Sequence, residues 1–159
     1  MQPTLRWMLG HPARIIAFGF GSGLIRPAPG TWGTLFGWLT YAVFSRWLEG
    51  AWLLAPAALA FVIGIAACGK AGRDLGVADH GGIVWDEVVA IWLVLAMVPD
   101  TPASHVVGFL VFRFFDILKP QPIRHFDAKW KNGFGVMFDD LLAALFTLLV
   151  FSLYLRMVG

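Results

Sequence analysis

Long apolar stretches separated by short polar ones dominate this chain, and acidic residues stand at the seams. Asp86 and Glu87 open the apolar run 88–98, Asp139 and Asp140 open 141–155, and Asp116 closes 106–115. The pattern predicts an all-α integral membrane bundle of about four to five helices. Spans are expected at residues 31–47, 51–69, 83–98, 103–119 and 136–157. Gly33, Gly37 and Thr40 in the first are small enough for a neighbouring helix to approach closely in lipid. Pro99-Asp100-Thr101-Pro102 reads as a turn, and residues 120–135 as a surface loop. The third and fourth runs fall short of the ~20 residues that cross a bilayer comfortably. They are therefore expected to be tilted or partly embedded. No repeat or low-complexity segment divides the chain, so one domain, 1–159, is expected.

Composition strengthens the membrane reading. Hydrophobic residues make up 58% and charged residues 14%, against roughly 25% charged in a soluble domain. The net charge is only +2. No basic tract with interleaved aromatics occurs, which argues against nucleic acid as a partner. Cys68 is the lone cysteine, so an intrachain disulfide and a Cys-rich metal site are excluded. Its apolar surroundings predict a packing role. The apolar stretch 15–20 is too short for a signal-peptide core, and the N-terminus is expected to be kept. If each helix crosses once, Arg6, Arg14, Arg26, Lys70, Arg73, Lys119, Arg124, Lys129 and Lys131 share one side. Arg46 and Arg156 fall on the other, offset by Glu49 and Asp100. The positive-inside rule makes the first side cytoplasmic. The acidic seams and a Gly-rich segment, 19–34, then meet at that interface.

Carboxylates beside hydrocarbon are costly and mark functional sites by default. Asp86, Glu87, Asp116, Asp139 and Asp140 gathered at one depth would repel one another unless a cation sat between them. Oxygen donors of this kind suit a hard ion, Mg2+. The competing explanation is simple: helix N-termini tolerate acids through the dipole. That suffices for a single acid but less well for acid pairs at two helices. Asp86 and Glu87 point about 100° apart on a helix, which predicts different roles. Asp79 is a weaker candidate. His80 reads as an interfacial hydrogen-bonding residue, and His11, His105 and His125 lack ligand spacing.

Arg113, Asp116 and Lys119 are spaced i, i+3, i+6 and are expected on one helical face. Arg grips phosphate bidentately and Lys acts as a point charge. The alternative is a self-neutralised ion-pair face with snorkelling side chains. In segment 19–34, glycines free backbone N–H groups for an anion. Gly21, Ser22, Gly30 and Thr31 are its candidate phosphate contacts, and Thr31 is also a candidate helix cap. The segment is neither a Walker A loop nor a Rossmann fingerprint. Its plainer reading is a Gly/Pro-rich entry to a membrane helix.

The blocks GFGSGLIRPAPGTWGTL, DHGGIVWDEVVAIW, FRFFDILKPQPIRHFD and GFGVMFDDLLAAL, with their spacing, closely resemble the phosphatidylglycerophosphatase A family of bacterial inner membranes. The resemblance covers most of residues 18–145. It implies Mg2+-dependent removal of the terminal phosphate of phosphatidylglycerophosphate, leaving phosphatidylglycerol, by a multi-pass protein whose partners are the bilayer and a phospholipid. The family's acidic positions fall on Asp79, Asp86, Glu87, Asp116, Asp139 and Asp140, and its basic ones on Arg113 and Lys119. Asn132-Gly133-Phe134-Gly135, where relatives tend to have a glycine pair, and Ala90, where glycine is common, depart from the pattern without removing a ligand. In this reading Asp86, Glu87, Asp116, Asp139 and Asp140 hold one or two Mg2+, and a surplus carboxylate is the base. Direct water attack is favoured because no Asp-x-Asp-x-Thr/Val nucleophile motif is present, although a covalent phosphoryl-carboxylate stays open. Two other classes also stay open. A cation transporter would need acids near mid-span; a non-catalytic scaffold would not need bases beside the acids.

Overall fold

The computed structural model describes residues 2–158, which contain helices and turns and no strand. Two short helices come first, α1 (Leu5–Leu9) and α2 (Pro12–Ala17). Each begins with a side-chain cap: Thr4 Oγ1 accepts from the Trp7 N–H, and His11 Nδ1 from the Ala13 N–H. A 3-10 turn, Gly19–Leu24, leads into α3 (Pro29–Phe44). A second such turn, Gly50–Leu53, runs into α4 (Leu54–Leu75). Then follow α5 (Trp85–Met97), α6 (Pro102–Leu118), α7 (Ile123–Lys129) and α8 (Gly133–Val158).

The centre of the bundle is α5. Val88, Ile91, Val94 and Leu95 are each at most 1% exposed, with α3, α4, α6 and α8 packed around them. A helix of 13 residues reaches only about 20 Å at 1.5 Å per residue, well short of a bilayer core of about 30 Å. The third expected span is thus a core helix sheathed by protein, which explains why it is apolar on every side. Truncating Leu95 to Ala in such a setting costs about 2–5 kcal/mol. By contrast, Gly50–Leu75 and Gly133–Val158 are long and apolar enough to cross a membrane. Their outward side chains, such as Leu59, Val62, Leu149 and Leu153, are exposed.

Small residues set the closest approaches. An added Cβ at Gly37 would lie 3.0 Å from Val88 Cα, and one at Gly64 2.7 Å from Met137 Sδ and Trp85 Cδ1. Where α3 meets α5, the Trp92 indole donates to Thr40 Oγ1 and to the Gly37 carbonyl, both at 2.9 Å. Buried indole N–H groups need such partners. Cys68 is fully buried with Sγ 3.9 Å from Met137 Sδ, a packing role as expected. Gly33 packs on Val84 and Tyr41 bonds the Leu95 carbonyl, so α3 and α5 run the same way. Ala60 meets Trp85, and Gly69 meets Gly133, so α4 runs against α5 and α8. A Cβ added at Gly108 of α6 would lie 3.1 Å from Val94 Cγ1 and within 4.0 Å of Phe151. Hence the starts of α3, α5 and α8 share one end of the bundle with the finishes of α4 and α6.

Candidate active site

Each element brings its chemistry to that end for a local reason. Entry to α5 is fixed by the Val84 N–H donating to the Ala17 carbonyl at 2.8 Å, which puts Asp86 and Glu87 in the first helical turn. There the helix dipole favours negative charge. Asp139 and Asp140 are differently placed. Asn132 Oδ1 accepts from the Gly135 N–H at 2.8 Å, and α8 starts at Gly133 rather than at the acids. Gly133 lies against the Ile65 carbonyl and Gly135 against the Trp130 carbonyl, where a Cβ would not fit. The expectation that this helix opens on its two carboxylates is corrected. Both lie in the second turn, beyond the reach of the dipole, which falls off within the first turn. Capping therefore does not explain them.

Asp86, Glu87 and Asp140 form the deeper group. One oxygen from each lies within 4.8 Å of the others, and the residues are 6%, 9% and 2% exposed. Asp116 stands beside Asp140. Among the described residues the cation paired into it is Arg113: it pairs with Asp116, and Nη1 lies 3.8 Å from Glu87 Oε1. Four carboxylates thus face one guanidinium. Like charges about 4 Å apart repel by about 4 kcal/mol at an effective dielectric of 20. Asp86 Oδ1, Glu87 Oε2 and Asp140 Oδ2 are buried without a hydrogen-bond partner. Buried charge without a partner is costly, so this all-oxygen group fits a bound hard cation.

Asp79, Asp127 and Asp139 form a second, shallower group, again with one oxygen each within 4.8 Å. Lys119 belongs here, with Nζ 3.1 Å from Asp127 Oδ1 and 3.9 Å from Asp139 Oδ2. Partial burial would raise the Asp127 carboxyl, but hydrogen bonding to Asp139 and Lys119 outweighs it and holds the group below its usual range. Desolvation works to lower the Lys119 ammonium, and Asp127 overcomes it and raises it. Lys119 does not share a helical face with Arg113. It terminates α6 in a left-handed conformation, φ 46°, and swings to the shallow group. Asp127 is the residue that sequence reasoning missed. It lies on α7, inside the stretch expected to be a surface loop, and that expectation is corrected too.

The Gly-rich segment divides. Gly30 abuts Arg113 and Glu87: an added Cβ would stand 3.0 Å from Nη1 and 3.1 Å from Oε1. Thr31 Oγ1 is 3.4 Å from Arg113 Nη2. Thr31 does not cap α3, whose cap position is Ala28 with no side-chain bond. Gly21 and Ser22 sit elsewhere. A Cβ on Gly21 would meet only Met8, and Ser22 Oγ donates to the Gly19 carbonyl. No hydrogen bond joins Ser22 to the acidic groups among the described residues. His80 Nδ1 accepts from the Gly82 N–H at 2.9 Å, a hydrogen-bonding role.

Fold and site together define a class of protein: a helical bundle with buried carboxylates gathered at one end and an arginine and a lysine beside them. The profile described as Phosphatidylglycerophosphatase A matches residues 15–155. The chain belongs to that family and is a phosphoric monoester hydrolase. A Haemophilus influenzae protein named Phosphatidylglycerophosphatase A is 48% identical over 150 residues, covering 94% of this chain and 92% of its own. An Escherichia coli K12 protein of the same name is 37% identical over 139 residues, covering 87% and 80%. A Bacteroides thetaiotaomicron relative, provisionally named a phosphatidylinositol-3-phosphatase, is 33% identical over 152 residues, covering 91% and 94%. No solved structure matches the chain.

Proposed function

We propose that this protein hydrolyses the terminal phosphate of phosphatidylglycerophosphate, giving phosphatidylglycerol and inorganic phosphate, with Mg2+ as cofactor. Its setting is the bacterial inner membrane, crossed several times, with the site facing the cytoplasm. One observation carries the reading: unpartnered buried oxygens of Asp86, Glu87 and Asp140 converge beside Arg113 at one end of the bundle. Nine basic residues read toward that end, against Arg46 and Arg156 at the other, which supports a cytoplasmic face.

Asp86, Glu87 and Asp140 hold the cation, with Asp116 closing the group and orienting Arg113. When bound, Mg2+ supplies neutralisation of phosphate charge and a lowered pKa for water. Arg113 turns its fork onto the equatorial phosphate oxygens, where charge is spread in the transition state. Gly30 keeps the space beside that fork clear. Lys119 adds a point charge from the shallow side. Asp139, the buried member of the shallow group and next in sequence to Asp140, has Oδ1 free of partners among the described residues, and it takes the proton from the attacking water. As water attacks in line, the bond from phosphorus to the glycerol oxygen breaks, and the lipid alkoxide takes a proton from solvent as it leaves, Asp139 later returning its own proton to solvent.

The test is phosphate release from phosphatidylglycerophosphate in detergent micelles, with Mg2+ or with EDTA, for wild type and Asp140→Asn. Release should require Mg2+ and fall by roughly 10²–10³-fold in the variant. Equal rates in EDTA, or full activity in Asp140→Asn, would sink the metal assignment. Phosphatidylinositol 3-phosphate, offered in parallel, decides between the headgroups named for the relatives.

A further inference from the structure

A groove of about 320 Å³ runs along the bundle between α4, α5 and α8. Its one acidic wall residue is Asp86, a member of the deep carboxylate group. From there it continues past Phe61 and Met137, beside Val89 and Ala90, to Leu54 and Leu93. Asp86 to Leu93 is two turns of α5, about 10 Å at 1.5 Å per residue. The direction is fixed by the helix register. Asp86 and Met137 lie toward the acidic end, while Leu54 starts α4 at the opposite end and Leu93 lies toward it. Ala57, Val89, Ala90 and Met137 are buried and form the floor. Leu54, Phe61, Leu93 and Leu141 are half-buried and Ala58 is exposed, so the groove opens sideways between the two helices long enough to cross a membrane.

We propose that this groove holds one acyl chain of the phospholipid substrate while the phosphate is held at the carboxylates. The proposal rests on the function proposed above and adds the place where the lipid tail is read. Three features commit it to the substrate's own chain. The groove is continuous with the candidate site through Asp86. It is polar at the head and apolar for the rest of its length, as a phospholipid is. Its long axis follows the helices, the direction in which a lipid tail lies when its phosphate is at the interface. Ala57 and Ala90 are the specificity residues, because their small side chains leave the floor open.

Ala57→Leu fills the floor, and Ala55→Leu adds the same bulk on an exposed face of α4 outside the groove. Each is assayed on phosphatidylglycerophosphate with long and with short acyl chains. Ala57→Leu should lower kcat/KM for the long-chain lipid, relative to the short-chain one, by about tenfold or more, the scale of a lost apolar fit. Ala55→Leu should leave the ratio unchanged. If both substrates fall together in Ala57→Leu, or neither falls, the groove does not read the tail. Should Ala57→Leu not fold by its melting profile, Ala58→Leu at the rim carries the same test. A wild type inert on every chain length removes the proposed reaction, and labelling then decides the groove alone. A photoactivatable diacylglycerol phosphate should mark Leu93 and Leu141 and be competed by unlabelled phosphatidic acid. Equal competition by phosphatidylcholine would mean that ordinary bilayer lipid fills the groove, and would overturn the proposal.

Discussion

The two carboxylate groups at the end of the bundle have the same number of acids and opposite surroundings. Asp86, Glu87 and Asp140 are mounted on α5 and α8, enclosed, with three oxygens lacking any partner. Asp79 and Asp127 sit on a loop and on the seven-residue α7, and only Asp139 of their group is buried. Lys119 and Lys131 approach Asp127, whereas the ion pair reaching the deep group among the described residues comes from Arg113. Acid count therefore says little by itself. The demand for a cation is set by burial and by how many bases the fold delivers. Adjacent residues, Asp139 and Asp140, serve the two groups, because successive helical positions face about 100° apart.

Breaking the deep group should have the largest effect. Glu87→Gln is expected to lower kcat by roughly 10²–10³-fold and to remove a tight Mn2+ site in calorimetry. Unchanged binding would shift the cation to the shallow group. Arg113→Lys comes next. Lysine keeps the charge but loses the two-pronged fork, so a loss of about 10–100-fold in kcat/KM is expected, with KM rising. Unchanged kcat and KM would assign Arg113 to balancing Glu87 and Asp116 rather than to the phosphate. Asp127→Asn should cost about tenfold, the lower end for a residue supporting a metal site from outside. Added Mg2+ should restore part of that loss. A loss as deep as that of Glu87→Gln would make the two groups equal partners.

Much of this contrast was legible in the chain, and the exceptions have physical causes. Asp86, Glu87, Asp116, Asp139 and Asp140 stand out because they border apolar runs, and the structure brings them to one end of the bundle. Asp127 does not stand out. It belongs to IRHFDAK, too short to display a helical period, with prolines just before it. Its placement depends on Lys119 ending α6 in a left-handed turn, a tertiary outcome. Glycines misled in another way. Gly133 and Gly135 fall in the stretch expected to be a surface loop, yet they lie inside the first turn of α8, where only glycine fits against Ile65 and Trp130. Apolar runs alone do not distinguish burial by lipid from burial by protein either. For that reason α5 passed for a span when it is the core.

The smallest effect should come from Lys131, and it tests whether the shallow group is tuned by charge or by position. Its Nζ lies 3.9 Å from Asp127 Oδ2, and its side chain is 56% exposed. A pair of that kind is screened by solvent and spends side-chain entropy to hold its geometry, so it contributes at most about 1 kcal/mol. Lys119, by contrast, is half as exposed, with its Nζ 3.1 Å from the same carboxylate. Lys131→Ala should therefore change kcat/KM by less than about fivefold, with a slight gain at low salt if removing the cation strengthens the pull of Asp127 on Mg2+. Lys119→Ala in the same assay should lose activity at every ionic strength. If Lys131→Ala instead matched Lys119→Ala, net positive charge near Asp127 would be what matters, and the specific place that Lys119 takes at the end of α6 would not.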